Sequence, residues 1–253
     1  MARTGQPSRG RIGSSGRAVA VLEALEDGGE LGTNELARRT GISPSTASRQ
    51  LGTLVEGGLV EFDEDSGRYR LGLRLVQLGN AVLARLDVRN VARPHLEALA
   101  ETVRETATLS VPGERDAITI DFVPTDRYVQ GVTRLGRPSI GHATAAGKVM
   151  LAFTNRVPDE PLARYTERTI TDPLVLSQEL EQIRRVGWAD AYEEREPELN
   201  AIAAPVWSNR GALEAIVALQ GPIPRFGRAA AREAVPLLLE RTAAISHELG
   251  WRA

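Results

Sequence analysis

The stretch that decides the fold runs from Leu31 to Leu71 and reads LGTNELARRTGISPSTASRQLGTLVEGGLVEFDEDSGRYRL. It predicts two short helices followed by a two-stranded hairpin. The first helix is predicted to begin at Thr33, whose hydroxyl suits the free amides of a first turn, and to end at Gly41. Ser43 is predicted to cap the second helix, with Pro44 at the first helical position, where a missing N–H costs nothing.

The second predicted helix is amphipathic and extends to about Glu56. Its core side is predicted from four apolar residues at helical spacing: Ala47, Leu51, Leu54 and Val55. The opposite face carries Ser45, Thr46, Arg49 and Thr53, with Gln50 on its flank. Small hydroxyls allow such a face to enter a major groove, where Arg49 and Gln50 can reach base edges or phosphates.

The hairpin is predicted to form a wing with strands at 59–62 and 68–71. Its tip, residues 63–65, is acidic and would be repelled by phosphate, so Arg68 and Arg70 are the predicted wing contacts. The full set of candidate DNA contacts is Thr33, Ser43, Ser45, Thr46, Arg49, Gln50, Thr53, Arg68 and Arg70. The alternative is a helical hairpin packed inside a larger core, with a charged surface that only faces solvent.

Length and composition indicate one small and one medium domain in a chain of 253 residues. The hydrophobic fraction of 42% and the charged fraction of 25% are ordinary for a soluble protein. The net charge of −2 excludes a polycation, so positive charge must act locally. Residues 1–17 contain Arg3, Arg9, Arg11 and Arg17 and no acid. This composition predicts a disordered basic arm (1–16) along the phosphate backbone, or else an ordinary ragged terminus.

Several classes of protein are excluded or disfavoured. The absence of cysteine excludes disulfides, thiolate metal sites and a cysteine nucleophile. No apolar run reaches the length of a membrane span and no signal peptide is recognisable, so we expect a cytoplasmic protein. No phosphate loop, zincin motif or nucleophile elbow occurs, so we expect no catalytic residue, no cofactor and no enzyme.

The remaining pattern predicts an α+β organisation in four parts. A basic arm (1–16) precedes a winged helix-turn-helix domain (17–71), a helical linker (72–106) and an α+β sensor domain (107–253). In the last part, period-two patterns predict strands at 108–111, 117–123, 128–133, 201–207 and 213–220, and helical spacing predicts helices at 177–186 and 228–249. The apolar stripe of the linker packs on its own domain or pairs with a second copy.

A candidate anion site lies in the segment GHATAAGK at 141–148. Small residues lead into an apolar helix, so a ligand can approach the main chain at a helix N-terminus, which attracts anions. Lys148 is the only lysine in the chain and either adds its charge to this site or points to water. His142 is predicted to stabilise the turn, because no acid–base partner is apparent.

Two further groups of acids need an assignment. Asp121 lies in an apolar strand, so its carboxylate either pairs with an arginine or faces the pocket. Glu193, Glu194, Glu196 and Glu198 are predicted to form a solvated loop, with a metal site as the alternative. That alternative lacks a paired histidine and a fixed ligand spacing, so the prediction is that no metal binds.

The segments described so far resemble the IclR family of bacterial transcriptional regulators. The likeness covers nearly the whole chain in order, including 33–72, DVRNVARPHLEALAE, GHATAAGKVMLAF, RTITD, QIRRVGWA and IAAPV followed by GP. The resemblance implies a winged helix-turn-helix domain, a helical linker and a GAF-like effector domain. It also implies homodimers, often paired into tetramers, on a double-stranded DNA operator.

The resemblance further implies a small-molecule effector, often a carboxylate, bound to backbone amides of HATAAGK. The implied effector positions are Tyr128, Gly131, Ser139, Ala145, Ala146, Gly147, Leu199, Asn200, Ala218 and Gln220. The chain departs from the family pattern at Asn200 and Ala201 (commonly Arg-Cys), at Ala191 and Tyr192 (commonly acidic) and at Gln220 (commonly serine). We therefore expect an effector other than the small 2-oxoacids.

Three functions remain in competition at this point. The first is a transcription factor, repressor or activator, whose operator affinity is modulated by a small organic acid or related metabolite. The second is an enzyme whose N-terminal domain only docks on DNA. The third is an architectural DNA-binding protein without an effector.

Overall fold

The computed structural model describes residues 13–83, 87–125, 134–154, 156, 158 and 161–252. The chain forms two compact units, residues 1–85 and 86–253. The described helices are Ser14–Gly28 (α1), Thr33–Thr40 (α2), Pro44–Glu56 (α3), Arg74–Leu83 (α4), Asp87–Val103 (α5), Ala145–Phe153 (α6), Pro173–Val186 (α7) and Arg228–Glu248 (α8). The described strands are Val60–Asp63 (β1), Arg68–Leu71 (β2), Thr106–Pro112 (β3), Ala117–Val123 (β4), Pro138–Ser139 (β5), Ala189–Tyr192 (β6), Leu199–Trp207 (β7) and Leu213–Pro222 (β8). Among these helices, none has both the length and the hydrophobicity that crossing a membrane requires.

The N-terminal unit packs α1, α2 and α3 around one small apolar core. Its fully buried members include Val21, Leu36 and Leu51, one from each helix. The antiparallel strands β1 and β2 follow, with Phe62 opposite Tyr69. Two short helices followed by a winged hairpin are therefore confirmed.

Three local predictions in this unit are wrong. α1 begins at Ser14, so residues 14–16 are helical and do not belong to an arm; residues 1–12 lie outside the described part. Thr33 does not cap α2, because Gly32 occupies the cap position in extended conformation and Thr33 is already the first helical residue. Val55 was predicted to face the core but is 36% exposed. α1 contacts α3 on the flank that carries Gln50, and Val55 lies on the other flank.

The C-terminal unit is built on one antiparallel sheet with strand order β5-β4-β3-β8-β7-β6. Ile216 and Ala218 of β8 pack in a cluster with α6 and α7. Val217 and Leu219 alternate with them and are equally buried, so they face the other side of the sheet, where α5 and α8 pack. This arrangement is the predicted α+β class, with the helices on both faces of an antiparallel, GAF-like sheet.

The predicted hairpins β3–β4 and β7–β8 and the closing helix α8 are confirmed. α7 was predicted to begin at Ser177, but it begins one turn earlier, because Asp172 accepts the Leu174 amide at 2.8 Å and Pro173 takes the first helical position. The short strands β5 and β6 were not predicted. The predicted strand 128–133 lies outside the described residues.

Candidate nucleic-acid interface and ligand cavity

Helix α3 is held by caps at both ends. The Ser43 hydroxyl accepts the Thr46 amide at 3.3 Å, and Pro44 follows at the first helical position. At the other end, the Gly57 amide donates to the Thr53 carbonyl at 3.1 Å. Gly41, between α2 and α3, adopts the left-handed conformation with φ of 68°, which favours glycine. Both predicted caps of this region, Gly41 and Ser43, are in place.

The outer face of α3 is polar and open to solvent. Ser45, Arg49 and Thr53 are exposed, and Thr46 is half-buried. Ser48, also exposed, was missed by the sequence analysis, although the same count of 100° per residue places it at the border of this face. The side chains that the sequence assigned to the groove therefore lie together on one surface, with the exception of Gln50.

Gln50 does not belong to the exposed face. Only 6% of the residue is exposed, and its Nε2 donates to the Ser14 hydroxyl of α1 at 3.1 Å. A buried amide needs such a partner, so this side chain ties α3 to α1. The prediction that Gln50 reaches DNA is wrong. Thr33 is half-buried in the first turn of α2 and Ser43 stays exposed beside its cap bond, and for both the DNA contact stays a prediction.

The two wing arginines already have partners within the N-terminal unit. Arg68 donates from Nη1 to the Glu30 carbonyl at 2.9 Å. Arg70 pairs with Glu61 at 3.1 Å and with Glu30 at 3.5 Å, and the hydrogen bond to Glu61 raises the pKa of the Arg70 guanidinium. Both arginine side chains are exposed, so each can contact a DNA phosphate while it keeps its contacts to Glu30 or Glu61.

The tip of the wing is acidic in the structure as well. The Ser66 amide donates to Asp63 Oδ1 at 2.9 Å, and this bond lowers the pKa of the Asp63 carboxyl. The residue therefore stays ionised well below neutral pH. A permanent negative charge at the tip is repelled by the phosphate backbone.

The C-terminal unit contains a cavity of about 80 Å³ at the N-terminus of α6. The predicted effector positions among its lining residues are Ser139, Ala145, Ala146, Leu199, Ala218 and Gln220. Five charged lining residues were not predicted: Arg134, Arg137, Glu194, Arg195 and Glu196. No sequence signal distinguished these from the surface charges around them, because their direction depends on how the loops before β5 and before β7 fold.

Two predicted effector positions do not line this cavity. The Gly147 amide donates to the Thr144 hydroxyl at 3.0 Å, and a Cβ at Gly147 would lie 2.6 Å from the carbonyl carbon of Ile140. Its role is thus close packing of α6 on the preceding turn. The buried Asn200 donates from Nδ2 to the Phe226 carbonyl at 2.8 Å, so it ties β7 to the segment before α8. Tyr128 and Gly131 lie outside the described residues.

The first turn of α6 provides an environment for an anion. The Thr144 side chain satisfies the amide of Gly147, whereas the amides of Ala145 and Ala146 belong to the first turn, which has no intrahelical partners. Such amides and the helix dipole favour a negative group. Arg195 adds a cation at the same cavity, with its guanidinium 4.1 Å from the centre of the Tyr165 ring.

Lys148 takes neither of its predicted positions. It is completely buried, and its Nζ donates to Glu194 at 2.8 Å, to the Asp190 carbonyl at 3.0 Å and to Glu179 at 3.2 Å. Burial raises the pKa of the Glu194 carboxyl, and the charge of Lys148 opposes this shift. Because Glu194 lines the cavity, Lys148 fixes the cavity wall and is not among the lining residues.

The acidic run at 193–198 is mostly paired, contrary to the predicted solvated loop. Glu193 pairs with Arg168 at 2.9 Å, and Glu196 pairs with Arg137. Glu193 and Glu198 have positive φ angles of 59° and 64°, so the loop turns sharply at both ends. These contacts hold Arg195 and Glu196 at the cavity.

Two other polar residues have structural partners. Asp121 is buried and pairs with Arg93 at 3.1 Å and Arg89 at 3.4 Å. Of the two predicted alternatives, the arginine partner is therefore confirmed and the position facing the pocket is wrong. The His142 ring lies with Nε2 2.8 Å from the Ala163 carbonyl, in keeping with its predicted role in stabilising the turn.

Comparison with known proteins assigns both units. A family model described as the IclR helix-turn-helix domain matches residues 14–64, and one described as bacterial transcriptional regulator IclR C-terminal matches residues 80–247. The chain is 31% identical to the HTH-type transcriptional regulator KdgR of Escherichia coli over 93% of this chain and 92% of that protein. It is 34% identical to the glycerol operon regulatory protein of Streptomyces griseus, over 94% and 97% of the two chains. The structure of an IclR homologue from Microbacterium hydrocarbonoxydans, complexed with 4-hydroxybenzoate, superimposes with a TM-score of 0.78 at 28% identity, covering 94% of this chain and 99% of that one.

Proposed function

We propose a mechanism from the premise that the chain belongs to the IclR family of bacterial transcriptional regulators and regulates transcription by binding DNA. In this mechanism the exposed face of α3 reads an operator, and a small organic anion in the cavity at α6 modulates that binding. The observation that carries the DNA part is a capped helix whose outer face bears Ser45, Arg49 and Thr53 in the open. We retain the division into a winged domain, a linker (72–106) and an effector domain (107–253) as part of the proposal, with the winged domain (14–71) now beginning where α1 begins.

Arg49 is the proposed base-reading residue. It is the one long cation on a face of small hydroxyls, and it is exposed. A guanidinium in the major groove pairs bidentately with guanine, so it discriminates between bases. The wing arginines, Arg68 and Arg70, are proposed to contact phosphates and to add affinity without sequence preference.

Arg49→Ala tests this assignment on an operator selected from a random duplex library by the purified protein. We expect the variant to lose about 1–3 kcal/mol of discrimination at one base position of each half-site. Arg68→Ala is the matched control and should weaken binding to all sequences alike. Gel-shift titrations on the selected site and on single-base substitutions measure both. Unchanged base preference in Arg49→Ala would contradict the proposed reading helix.

The effector is proposed to be a small organic anion that places its negative group on the amides of Ala145 and Ala146. The cavity volume of about 80 Å³ restricts it to a small molecule. Arg195 lies at the same cavity and is proposed to stabilise the bound anion. The relative complexed with 4-hydroxybenzoate gives a first ligand to test.

Thermal unfolding of the full chain with 4-hydroxybenzoate and a panel of small organic acids tests the effector site. A bound acid should raise the unfolding temperature, and the matching neutral amide should not, because the site favours negative charge. Arg195→Gln should reduce the shift, whereas Arg185→Gln, an exposed α7 residue away from the cavity, should leave it unchanged. If no acid stabilises the protein, the result would contradict the effector site and favour an architectural DNA-binding protein without an effector.

Self-association is proposed to pair two winged units on one operator, with pairs of dimers forming tetramers. The N-terminal unit exposes apolar side chains on and next to α1 and α4, namely Val19, Leu73, Val76 and Leu78. Several large apolar side chains exposed on neighbouring turns, as at Leu73 and Val76, favour an interaction site on a soluble protein. Sedimentation of Val76→Glu against Val76→Ala tests this: the glutamate should shift the protein toward the monomer, and an unchanged assembly would contradict it.

The protein is proposed to regulate without catalysing a reaction, in the cytoplasm where bacterial DNA lies. The named relatives are transcriptional regulators, which supports this proposal. Incubation of the purified protein with each stabilising acid, followed by mass analysis of the acid, tests it. Chemical turnover of the acid would revive the enzyme alternative.

A further inference from the structure

A second and larger cavity lies in the same unit, away from the proposed effector site. It is open to solvent and has a volume of about 720 Å³, within the range of small-molecule sites. Its walls come from the end of α6, the end of α7, strand β7 and the last turns of α8. None of its lining residues lines the cavity at the N-terminus of α6.

Aromatic rings form much of its wall. The ring centroids of Trp207 and Trp251 lie 6.3 Å apart, and those of Phe153 and Trp207 lie 5.1 Å apart with the two rings nearly perpendicular. The chain has three tryptophans, so two of the three line one cavity, and both are half-buried. Indole rings at a concave surface offer a flat, apolar ligand a large contact area.

Among the described residues, arginines supply the charge of this cavity. Arg184 and Arg252 are exposed lining residues and His247 contributes an imidazole ring, and no aspartate or glutamate of the described part of the chain lines the cavity. Arg184 is held in place because its Nε donates to the Ala152 carbonyl at 2.6 Å. A cationic rim around an aromatic floor selects an apolar body with a negative group.

We infer that this cavity is a second small-molecule site, which binds a planar aromatic anion of the arylcarboxylate class. The ring lies against Trp207 and Trp251, and the carboxylate reaches Arg184 and Arg252. Helix α6 connects the two sites, because Ala145 and Ala146 line the first cavity and Phe153 lines the second. An occupant of the second cavity therefore acts on the helix whose first turn holds the effector.

Calorimetric titration of the full chain with 2-naphthoate tests the site, with quenching of tryptophan fluorescence as a second readout. Ala243→Phe fills the cavity from an exposed position of α8 and should abolish this binding. Ala229→Phe is the matched control on the same helix, since Ala229 is exposed and lines neither cavity. Arg252→Gln should weaken binding about threefold, as expected for an exposed charge pair, and Arg185→Gln should not change it.

Each outcome bears on the proposal. Binding that is lost in Ala243→Phe and kept in Ala229→Phe, with unchanged thermal unfolding, supports it. Binding that survives in Ala243→Phe assigns naphthoate to another site and overturns it, as does the absence of binding. Equal affinity for the neutral 2-naphthalenemethanol overturns the anion assignment. An altered sedimentation coefficient in Ala243→Phe would mean that a second copy of the chain covers this cavity, which also overturns it.

Discussion

Lys148 places the strictest demand on the C-terminal unit, because a completely buried ammonium group must find partners there. Glu194, Glu179 and the Asp190 carbonyl supply them. The sequence could show that a single lysine follows the small residues of the turn, and no more. The direction of the Lys148 side chain depends on its partners in α7 and β6, and these elements come close to α6 only in the folded unit.

Replacing this lysine should be costly. Lys148→Met leaves the buried Glu194 and the half-buried Glu179 without their cation, and we expect a loss of about 3–5 kcal/mol in the free energy of unfolding. Arg185→Met, which removes an exposed cation from α7, should change stability little. Urea titrations followed by circular dichroism measure both variants at pH 7. Equal stability of the two would contradict the buried cluster.

The same cluster makes stability depend on pH. Burial raises the pKa of Glu194 above its ordinary value of 4.5, so the folded state binds this proton more tightly than the unfolded state does. Stability from this group is present below pH 4.5 and is lost as pH rises through the raised pKa. Glu194→Gln should therefore flatten the fall of the unfolding free energy above pH 4.5, whereas the exposed Glu198→Gln should not. Parallel pH profiles of both variants would contradict this.

Gly147 and Gly52 are both helical, but only Gly147 lies in tight packing, so alanine at the two positions should have opposite effects on stability. A Cβ at Gly147 would meet the Ile140 carbonyl carbon at 2.6 Å and the Gly141 Cα at 2.7 Å, so Gly147→Ala should destabilise the C-terminal unit by about 1–3 kcal/mol. Gly52 in α3 has open space around it, so Gly52→Ala should stabilise the N-terminal unit by about 1 kcal/mol. Opposite shifts in thermal unfolding confirm the contrast, and stabilisation by both would contradict it.

At the scale of elements, caps and patterns made most of the fold predictable. Ser43, Pro44 and Gly41 placed α2 and α3, because cap chemistry is local. The period-two segments placed β3, β4, β7 and β8 for the same reason. The strands β5 and β6 have two and four residues and depend on a neighbouring strand to form, so no local pattern marked them.

The candidate sites divide in the same way. The exposed face of α3 follows from helical spacing, and it was predicted with two exceptions. Ser48 was missed, and Gln50 was wrongly included because its burial depends on α1 packing beside it. The first turn of α6 was predicted from small residues and the helix N-terminus. Arg195 and Glu196 reach the cavity through a loop with left-handed residues at 193 and 198, and a sequence does not reveal that direction.

The contribution of the Asp172 cap to the stability of α7 can be tested by substitution. Asp172 accepts the Leu174 amide at 2.8 Å, so Asp172→Ala should lower the unfolding free energy by about 1 kcal/mol. Asp172→Asn keeps an acceptor oxygen and should retain most of the stability. Chemical denaturation of the two variants beside the parent protein measures this. Identical losses in both would indicate that the charge, and not the cap bond, stabilises α7.

At the scale of the whole molecule, attraction to DNA must come from local groups of arginines, because the overall charge is close to neutral. Residues 1–85 carry eleven arginines and ten acidic residues, and the full chain has a net charge of −2. Long-range attraction to DNA is therefore weak, and affinity depends on which arginines reach phosphates. The proposed arm contributes Arg3, Arg9 and Arg11 without any acid to offset them.

Removing residues 2–12 should weaken binding to all DNA sequences alike. Each phosphate contact contributes about 0.9 to the slope of log affinity against log salt, so the slope should decrease by about 3 per chain. Titrations over a range of salt concentrations, on the selected operator and on random duplex, measure this slope. A deletion that changes only operator affinity would show that the arm reads bases instead.

The burial of Lys148 has a practical consequence for labelling chemistry. It is the only side-chain amine in the chain and has no exposed surface, so acylating reagents such as succinimidyl esters cannot reach it in the native protein. Acylation at this position then requires an opening of the C-terminal unit. The acylated fraction at Lys148, followed by mass spectrometry over time, would report how often this unit opens, without any engineered probe.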